Sequence, residues 1–519
     1  MRLLGGGVTQ FSIAGGNPEA KVTQVDIGTF VQDEWRVRPN LTFTMGMRYE
    51  RQTNISSNYN FAPRLFFAWA PGGTSVGGGP GAPASNSSPK MVIRGGMGVF
   101  YDRFGERATL LANRFNGENQ LEFRLFDPAR LDEAVFSLDG VTNVPTVESL
   151  SAFAAPQVVR RIAPDFQAPT FVMTAINFER QLPSKFTLFL VAFNYRGKHL
   201  LRVRNINAPL PGTYDPANPN NSVRPMGNVG DVYYYESSAK FNDYRFFGGV
   251  RRQMSKGFSV FANFGTGRGK TDTDCIFGSI GSCFPADTYD LTSEYSRVGF
   301  IPGANFFVGG SLIVPKLKLN LNPFIVYSSG RPFNIVTGRD TNGDGLFTER
   351  PAFATAETDA ADLRKTKFGD FDLNPDPGQP LIPRNYGLGP TFFSVNLGIS
   401  RSFMFGNMPA PAAAAAPPAG AKPVATPPTQ GQGQSAQPSG AKSSGGSSGG
   451  PAAEKRYTLT FSINIQNLLN HTNLTNPIGN LSSPRFGEST STAGSFGFGP
   501  SGSAAAGNRR IQVQVRFGF

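Results

Sequence analysis

The 519-residue sequence contains few of the residues that build catalytic and metal sites. It has two cysteines, two histidines and two tryptophans, and only 16% of its residues are charged. The histidines, His199 and His471, are too isolated in the chain for a histidine-rich metal site. No nucleophile–base pair, zinc-ligand spacing or phosphate-binding glycine loop is recognisable. We therefore expect neither an enzyme nor a bound cofactor.

Long apolar runs are also missing from the sequence. No stretch of about 18 consecutive apolar residues occurs, which excludes a transmembrane helix but not a membrane-spanning sheet, whose strands alternate. The N-terminal stretch 1–20 has a single basic residue, Arg2, and no apolar segment of the length that a secretory signal requires. If the protein is exported, we expect its translation start to lie upstream.

Glycine, proline and phenylalanine are abundant instead, with 61, 41 and 46 residues respectively. This composition favours many strands joined by turns over helices. The net charge of +13 would suit a nucleic-acid partner, but the arginines are spread over many segments and form no basic run or basic helix. We therefore expect no nucleic-acid partner.

The last eleven residues, 509–519 (RRIQVQVRFGF), alternate strictly between apolar and other side chains. The apolar positions are Ile511, Val513, Val515, Phe517 and Phe519. Successive side chains of a strand point to opposite faces, so one face is apolar and the other polar. A soluble core strand would show the same pattern, but a final outward Phe is unusual at an edge in water. The stretch resembles the C-terminal strand of a bacterial outer-membrane β-barrel. That resemblance implies that Val515, Phe517 and Phe519 signal to the assembly machinery.

Twelve further segments have the length and pattern of strands, which gives thirteen in all. They are 24–35, 41–50, 61–70, 91–101, 170–180, 186–196, 244–253, 258–268, 306–314, 319–328, 392–403 and 457–466. Their links alternate between short (36–40, 181–185, 254–257, 315–318) and long (102–169, 197–243, 269–305, 329–391, 467–508). Short turns on one side and long loops on the other are typical of outer-membrane barrels, with the turns in the periplasm. The sequence therefore predicts an all-β, antiparallel, transmembrane outer-membrane β-barrel.

Two links, 71–90 and 407–455, break this rule because both are long and of low complexity. We predict a loop remnant at 1–23, barrel strands with long extracellular loops at 24–406, a disordered linker at 407–455 and the last two strands at 456–519. The linker is either a tolerated insertion or a tether to the cell wall. Complete bacterial barrels have an even strand number, so about 13 strands indicate part of a larger barrel.

Short motifs along most of the chain resemble the C-terminal barrel of TonB-dependent receptors, specifically the Oar-like group. The matching pieces are Asp33-Glu34-Trp35, Asn40-Leu41, Gly46-Met47-Arg48-Tyr49-Glu50, Ala62-Pro63-Arg64-Leu65, Ile93-Arg94-Gly95-Gly96, Tyr101-Asp102-Arg103, Ser329-Gly330-Arg331-Pro332-Phe333, Asn467-Leu468-Leu469-Asn470 and Phe519. Each piece is short, but their order and spacing together are specific. The family barrel has about 22 strands, and the family's signal peptide, N-terminal plug and TonB-contact segment are not recognisable here. We therefore interpret the chain as a fragment or a truncated product.

The resemblance implies uptake of a large nutrient, such as a glycan, a peptide or a metal complex, across the outer membrane. Implied partners are outer-membrane lipid and lipopolysaccharide, the assembly machinery, and TonB through an N-terminal region. One alternative is a structural or adhesive outer-membrane barrel without energy-coupled transport. Another is a soluble basic binding protein.

Two short segments carry candidate sites. Asp340, Asn342 and Asp344, followed by glycine, resemble the start of a calcium loop, but Pro351 stands where an EF-hand has its last acidic ligand and Glu349 comes early. A plain Asn/Asp/Gly turn is the better prediction. The only cysteines, Cys275 and Cys283, are close enough for a disulfide worth about 2–3 kcal/mol in an oxidising compartment, or they are two free thiols.

Arginines and tyrosines supply the remaining candidates. Arg48, Arg94 and Arg516 alternate with apolar neighbours and would face the barrel lumen, where they either steer anionic solutes or are neutralised by Glu50, Asp102 and their neighbours. Lumen-lining arginines and contacts to lipopolysaccharide both account for the excess positive charge. The tyrosines at 233–235 form an extracellular ligand platform or pack loops together.

Overall fold

The main feature of the structure is one long antiparallel sheet in which strands follow chain order. The computed structural model describes residues 11–72, 89–125, 157–215, 218, 221–255, 257–276, 283–376, 378–407, 455–493 and 507–519. Within them the sheet contains thirteen successive strands. These are β1 (Asp26–Arg38), β2 (Leu41–Gln52), β3 (Asn60–Trp69), β4 (Met91–Tyr101), β5 (Thr170–Leu182), β6 (Phe186–Asn205), β7 (Asp231–Ser255), β8 (Phe258–Thr271), β9 (Ala304–Val314), β10 (Leu319–Ser328), β11 (Phe392–Asn407), β12 (Lys455–Gln466) and β13 (Arg510–Gly518). The prediction of thirteen antiparallel strands is confirmed.

Smaller elements lie in the connections. Val158–Ile162 pairs with β7 and Ser296–Arg297 pairs with β8. Separate small sheets join Phe11–Gly16 to Gln120–Leu125, Pro332–Phe333 to Gly387–Leu388, and Gly369–Asp372 to both Ala352–Phe353 and Leu363–Thr366. Helical residues are Glu106–Arg114, an α-helix, and the 3₁₀ turns Pro183–Lys185 and Thr292–Glu294. None of the helices in the described part of the chain has the length and apolar character to cross a membrane.

The strand register divides the sheet into two chemically different faces. Side chains directly opposite each other on paired strands share a face. The ladder between β12 and β13 pairs Ile463 with Val513 on one face and Asn464 with Gln512 on the other. The same division continues to β2, whose residue Phe43 lies on the first face and Thr44 on the second. We call these the apolar face and the polar face.

The two ends of the strands also differ. Tight turns at 39–40, 183–185 and 315–318, and the turn that contains Gly257, all lie at one end, which we call the turn side. Lys318 (φ 52°) and Gly257 (φ 82°) supply the left-handed backbone that two of these turns require. The described parts of the connections 102–169, 206–230, 272–303, 329–391 and 467–509 lie at the other end, the loop side. The sheet is open, because β1 and β13 are not paired with each other.

One predicted loop, 197–243, is wrong at both of its ends. Nearly half of 197–243 is strand, because β6 continues to Asn205 and β7 already begins at Asp231. The ladder extends past the region of simple alternation, with register shifts between Glu236 and Phe241 that interrupt the period of two. The error at 197–243 arises because strand pairing, which alternation alone does not reveal, extends β6 and β7. Within the predicted loop remnant 1–23, Phe11–Gly16 pairs with Gln120–Leu125 of the connection after β4.

Two other predicted segments lie mostly outside the described residues. The predicted linker 407–455 falls almost wholly on residues 408–454, which lie outside the described residues. Most of the predicted link 71–90 does so as well, at residues 73–88.

The largest buried clusters lie on the loop side of the sheet. One joins the helix Glu106–Arg114 to the extended ends of β6 and β7 and to both cysteines. Its buried members are Phe104, Ala108, Ala112, Val158, Ala163, Phe166, Leu201, Val203, Tyr233, Tyr235, Cys275 and Cys283. A second cluster lies between the loop after β10 and the loop after β12, with Phe333, Phe371 and Leu481 at its centre. The long connections therefore form a packed layer with its own core.

A buried ion-pair network connects two of these loops. Glu294 is 2% exposed and its Oε1 lies 2.8 Å from Nη1 of Arg350, which is 1% exposed. Arg384 approaches the same carboxylate with its Nε 3.7 Å from Oε2, and its Nη1 lies 2.5 Å from Asp274 Oδ1. Arg350 also donates to the carbonyl of Ile382 (3.0 Å). Each buried charge thus has an opposite charge or a carbonyl beside it.

Substitution Glu294→Gln is expected to loosen this layer. It leaves the buried Arg350 guanidinium without its carboxylate, which costs about 3–5 kcal/mol when one member of a buried pair is removed. Hydrogen exchange followed by mass spectrometry measures the local stability of peptides around 290–300 and 345–355. The control Glu488→Gln breaks an exposed pair with Arg485 (3.0 Å) and should change local stability by less than about 1 kcal/mol. Equal protection in both variants would contradict the expectation.

Candidate functional site

Three loops on the loop side pack against one another, and we call their described residues the loop assembly. It comprises 206–215, 218 and 221–230 after β6, 272–276 and 283–303 after β8, and 329–376 and 378–391 after β10. Arg224 of the first loop donates from Nη2 to the carbonyl of Gly343 in the third (3.0 Å). Thr348 of the third loop donates to the carbonyl of Pro285 in the second (2.9 Å). All three loops therefore meet around residues 340–349.

The turn at 340–349 owes its shape to glycines and to one carboxylate. Gly343 (φ 72°) and Gly345 (φ 73°) adopt left-handed backbone conformations that favour glycine. Their N–H groups donate to Oδ1 and Oδ2 of Asp340 at 2.7 and 2.9 Å. Gly343 also packs against the ring of Tyr214, where a Cβ would clash. The local sequence thus folds the chain around the side chain of Asp340.

Three carboxylates converge inside this turn. Asp340, Asp344 and Glu349 each offer one oxygen, and these oxygens all lie within 4.8 Å of one another. Asp344 is 2% exposed and Glu349 is 5% exposed. Glu349 Oε1 accepts a hydrogen bond from the Thr341 N–H (3.0 Å), whereas Glu349 Oε2 is buried without a hydrogen-bond partner. The turn therefore concentrates negative charge in a poorly solvated place.

Burial and mutual repulsion raise the pKa values of these groups. Desolvation, with repulsion from Asp340, raises the pKa of Asp344 to about 8. Desolvation, with repulsion from Asp344 and then Asp340, raises the pKa of Glu349 to about 9. Desolvation also raises the pKa of Asp340. A carboxyl whose pKa is raised by folding stabilises the fold at low pH and loses that contribution as the pH rises through the folded pKa. Without a cation, this turn therefore favours the protonated acids.

The structure changes the membership of the candidate calcium loop. Asp340 and Asp344 contribute to the cluster, but Asn342 is engaged in hydrogen bonds. Its Oδ1 accepts from the Asp344 N–H (2.9 Å) and its Nδ2 donates to the carbonyl of Ala286 (3.2 Å). Glu349 takes the third position, although it is too early in sequence for an EF-hand. The spacing of an EF-hand could not reveal it, because this turn is tighter than that loop.

The cysteines and the tyrosines at 233–235 belong to the packed layer. Cys275 and Cys283 form a disulfide with a Cα–Cα distance of 5.1 Å, and both are buried. Tyr233 and Tyr235 are each 2% exposed and lie in the same cluster as that disulfide. Tyr233 contacts Phe284 edge-on, with ring centroids 4.7 Å apart. These tyrosines therefore pack loops together and do not form an exposed platform.

Arg48, Arg94 and Arg516 all lie on the polar face. Arg48 forms an ion pair with Glu50 on its own strand. Arg94 Nη1 lies 3.6 Å from Glu179 Oε2, a carboxylate that also pairs with Arg251 (3.1 Å). Arg516 lies opposite Thr460 on the exposed last strand. Two of the three cations are thus neutralised across or along the sheet. The partners of Arg48 and Arg94 are Glu50 and Glu179, whereas Asp102 Oδ1 accepts from the Arg103 N–H (2.9 Å).

The terminal residues are on the opposite face. Val515 and Phe517 lie on the apolar face of β13, and the Phe517 ring stacks on Tyr457 with centroids 5.8 Å apart. Phe519 is 96% exposed and its ring is 6.1 Å from that of Phe517. Phe519 therefore contributes little to the packing of the sheet.

A groove of about 1150 Å³ lies on the apolar face near the loop side. Its lining includes apolar residues (Ile176, Ala192, Phe246) and basic residues (Arg268, Lys270, Arg297). The three basic side chains are exposed and take part in no ion pair among the described residues. The groove thus combines an apolar wall with an unneutralised basic rim.

The chain is similar to several solved structures at low sequence identity. The chain is similar to the outer membrane transporter YddB of Escherichia coli, with 9% identity and a TM-score of 0.45 over 95% of this chain and 44% of that one. It is similar to a mutant of the ferric enterobactin receptor PfeA of Pseudomonas aeruginosa, with 10% identity and a TM-score of 0.43 over 95% and 44%. It is also similar to the FrpB iron transporter of Neisseria meningitidis, with 9% identity and a TM-score of 0.40 over 95% of this chain and 45% of that one. The chain spans less than half the length of these proteins.

No curated protein sequence matches the chain. Residues 2–409, however, match the family described as outer membrane beta barrel domain. That match covers most of the chain and includes the strands from β1 to β11 together with the loop assembly. The chain therefore belongs to the outer-membrane β-barrel domain family and is a protein of the bacterial outer membrane, as its terminal strand predicted.

Proposed function

We propose that this chain forms membrane-spanning and ligand-capturing parts of an outer-membrane receptor that takes up a large nutrient with energy supplied through TonB. The nutrient class is a glycan, a peptide or a metal complex. The observation that carries the proposal is the loop assembly, a packed layer with buried ion pairs above a sheet that has one apolar and one polar face. Long loops lie outside the cell in outer-membrane barrels, so this layer would meet external ligands.

The buried contacts of the loop assembly suit capture of a ligand. Loops that must become ordered on binding lose conformational freedom, which weakens affinity. Here Glu294, Arg350 and Arg384 hold two loops in place before any ligand arrives. On the polar face, Arg48 and Arg94 are paired with carboxylates, which leaves a polar but largely neutral wall. Such a wall suits passage of polar molecules without trapping anions.

Uptake by the complete protein in its host tests this proposal. Cells should accumulate at least one labelled oligosaccharide, peptide or ferric chelate, and accumulation should stop when TonB is inactivated. Glu294→Gln should lower uptake at equal surface amounts because it loosens the loop assembly, whereas Glu488→Gln should leave uptake unchanged. Loss of cell adhesion in a deletion strain, with no TonB-dependent uptake of any probe, would favour a structural or adhesive barrel instead.

We propose that the basic groove on the apolar face contacts the phosphates of lipopolysaccharide. The apolar face of an outer-membrane sheet meets lipid, and the loop side corresponds to the outer leaflet. Ile176 and Phe246 would then lie against acyl chains, with Arg268 and Lys270 above them at the level of the headgroups. Cations near a membrane surface add about 1 kcal/mol each to the binding of anionic lipid. Charge complementarity thus favours this occupant of the groove.

The double variant Arg268→Gln/Lys270→Gln should bind bisphosphorylated lipid A more weakly. Two cations at about 1 kcal/mol each correspond to roughly thirtyfold in affinity, and the difference should shrink at high salt. Native mass spectrometry of the detergent-solubilised protein with added lipid A measures the binding. The control Lys90→Gln/Lys316→Gln removes two exposed turn-side charges and should have no effect. Equal binding by all three proteins would contradict the proposal.

We also propose that the assembly machinery recognises Val515, Phe517 and Phe519. Phe519 is almost fully exposed, so Phe519→Ala should not lower the stability of the folded protein. It should instead lower the amount of the complete protein that reaches the outer membrane folded, measured by heat-modifiable mobility of membrane fractions. Gln514→Ala, on the polar face of the same strand, is the control and should assemble normally. Normal assembly of the Phe519→Ala variant would contradict the proposal.

A further inference from the structure

The carboxylates at 340–349 are not explained by membrane insertion or by loop packing alone. Asp344 and Glu349 are more than nine-tenths buried, and Glu349 Oε2 has no hydrogen-bond partner. None of the three carboxylates forms an ion pair with an Arg or Lys in the part of the chain that the structure describes. Buried charges in proteins are normally paired or bound to a metal ion. We propose that Asp340, Asp344 and Glu349 bind one Ca²⁺ that fastens the three loops of the loop assembly together.

The spacing of the three carboxylate oxygens fits Ca²⁺. Calcium takes oxygen ligands at 2.3–2.6 Å, so two ligand atoms on opposite sides of the ion lie roughly 5 Å apart. The carboxylate oxygens here are within 4.8 Å of one another, which leaves room for the ion at their centre. The ligands are hard oxygens on an irregular turn, which suits the flexible coordination of calcium better than the strict octahedron of Mg²⁺. Asp340 is only partly buried, so solvent and the ion have a path to the site.

The hydrogen bonds around the three carboxylates show which loops a bound ion would connect. Arg224 donates to the carbonyls of Gly343 and Asn207, and its ion pair with Asp231 (3.1 Å) draws its charge away from the carboxylates of the turn. Asn342 donates a hydrogen bond to the carbonyl of Ala286, and Thr348 donates one to the carbonyl of Pro285. An ion at the centre of 340–349 would therefore stabilise contacts to the loops after β6 and after β8. External Ca²⁺ would then control how firmly the whole layer is held.

Luminescence of Tb³⁺, which substitutes for Ca²⁺, provides a direct assay. The ring of Tyr214 packs against Gly343, so excitation of tyrosine should sensitise a Tb³⁺ ion bound in the turn. The detergent-solubilised chain is first freed of metal with EDTA and then titrated with Tb³⁺, followed by displacement with Ca²⁺. Sites in extracellular modules bind Ca²⁺ with Kd values of about 0.1–1 mM, and we expect displacement in this range. Tyr214→Phe should reduce the emission without changing Ca²⁺ affinity measured by calorimetry.

Variants of the proposed Ca²⁺ ligands can be compared with a variant of another carboxylate in the same loop. Asp344→Asn and Glu349→Gln should each weaken Ca²⁺ binding at least tenfold. The control is Asp362→Asn, which removes a carboxylate of the same loop that pairs with Arg339 on the surface (2.9 Å), and it should bind as the unaltered chain does. In the unaltered chain, 10 mM Ca²⁺ should slow hydrogen exchange of peptides around 337–349 and 283–291 at least tenfold relative to EDTA.

Two results would overturn the proposal. One is an unaltered chain that binds neither Tb³⁺ nor Ca²⁺ and exchanges hydrogen equally fast in Ca²⁺ and EDTA, because the carboxylates would then hold protons instead. The other is binding that is unchanged in both Asp344→Asn and Glu349→Gln. If one variant fails to fold, the other variant and the comparison of the unaltered chain in Ca²⁺ and EDTA still decide the question. Neither result depends on whether the receptor transports a nutrient.

Discussion

The antiparallel ladder of backbone hydrogen bonds from β1 to β13 is the interaction on which the rest of the structure depends. In lipid each unpaired N–H or C=O costs several kcal/mol, so a strand can lie there only when its neighbours satisfy it. The ladder also fixes the register, and a slip of one residue would exchange the two faces. With Val513 opposite Ile463 and Gln512 opposite Asn464, the same hydrogen bonds that satisfy the backbone also separate lipid-facing from polar residues.

The ladder extends beyond the apolar face and becomes the base of the loop assembly. The loop-side ends of β6 and β7 carry Leu201, Val203 and Tyr235, which are buried in a cluster with the disulfide-bonded cysteines. Burial of this kind permits charged groups to interact strongly, as Glu294 and Arg350 do. The carboxylates at 340–349 are buried by the same loops. The loop-side ends of β6 and β7 therefore supply part of the buried core of this layer.

The positive charge of the chain is divided among three environments with different consequences. Arginines in the loop assembly, such as Arg350, are buried and paired with carboxylates. Arg48 and Arg94 on the polar face also have carboxylate partners. Arg268 and Lys270, on the apolar face, have none among the described residues and are exposed. The net charge of +13 therefore does not by itself indicate a binding partner, because the cations differ in their burial and in their partners.

The sequence by itself determined the strand count, the turn-and-loop alternation and the two faces, because a period of two in side chains such as Ile511 to Phe517 is a local property of a strand. It also indicated Asp340 and Asp344. Only the tertiary structure decided that β6 continues to Asn205 and β7 begins at Asp231, that Tyr233 and Tyr235 are buried, and that Glu349 replaces Asn342 beside the aspartates. These features depend on contacts between segments far apart in the chain, and neither alternation nor spacing encodes such contacts.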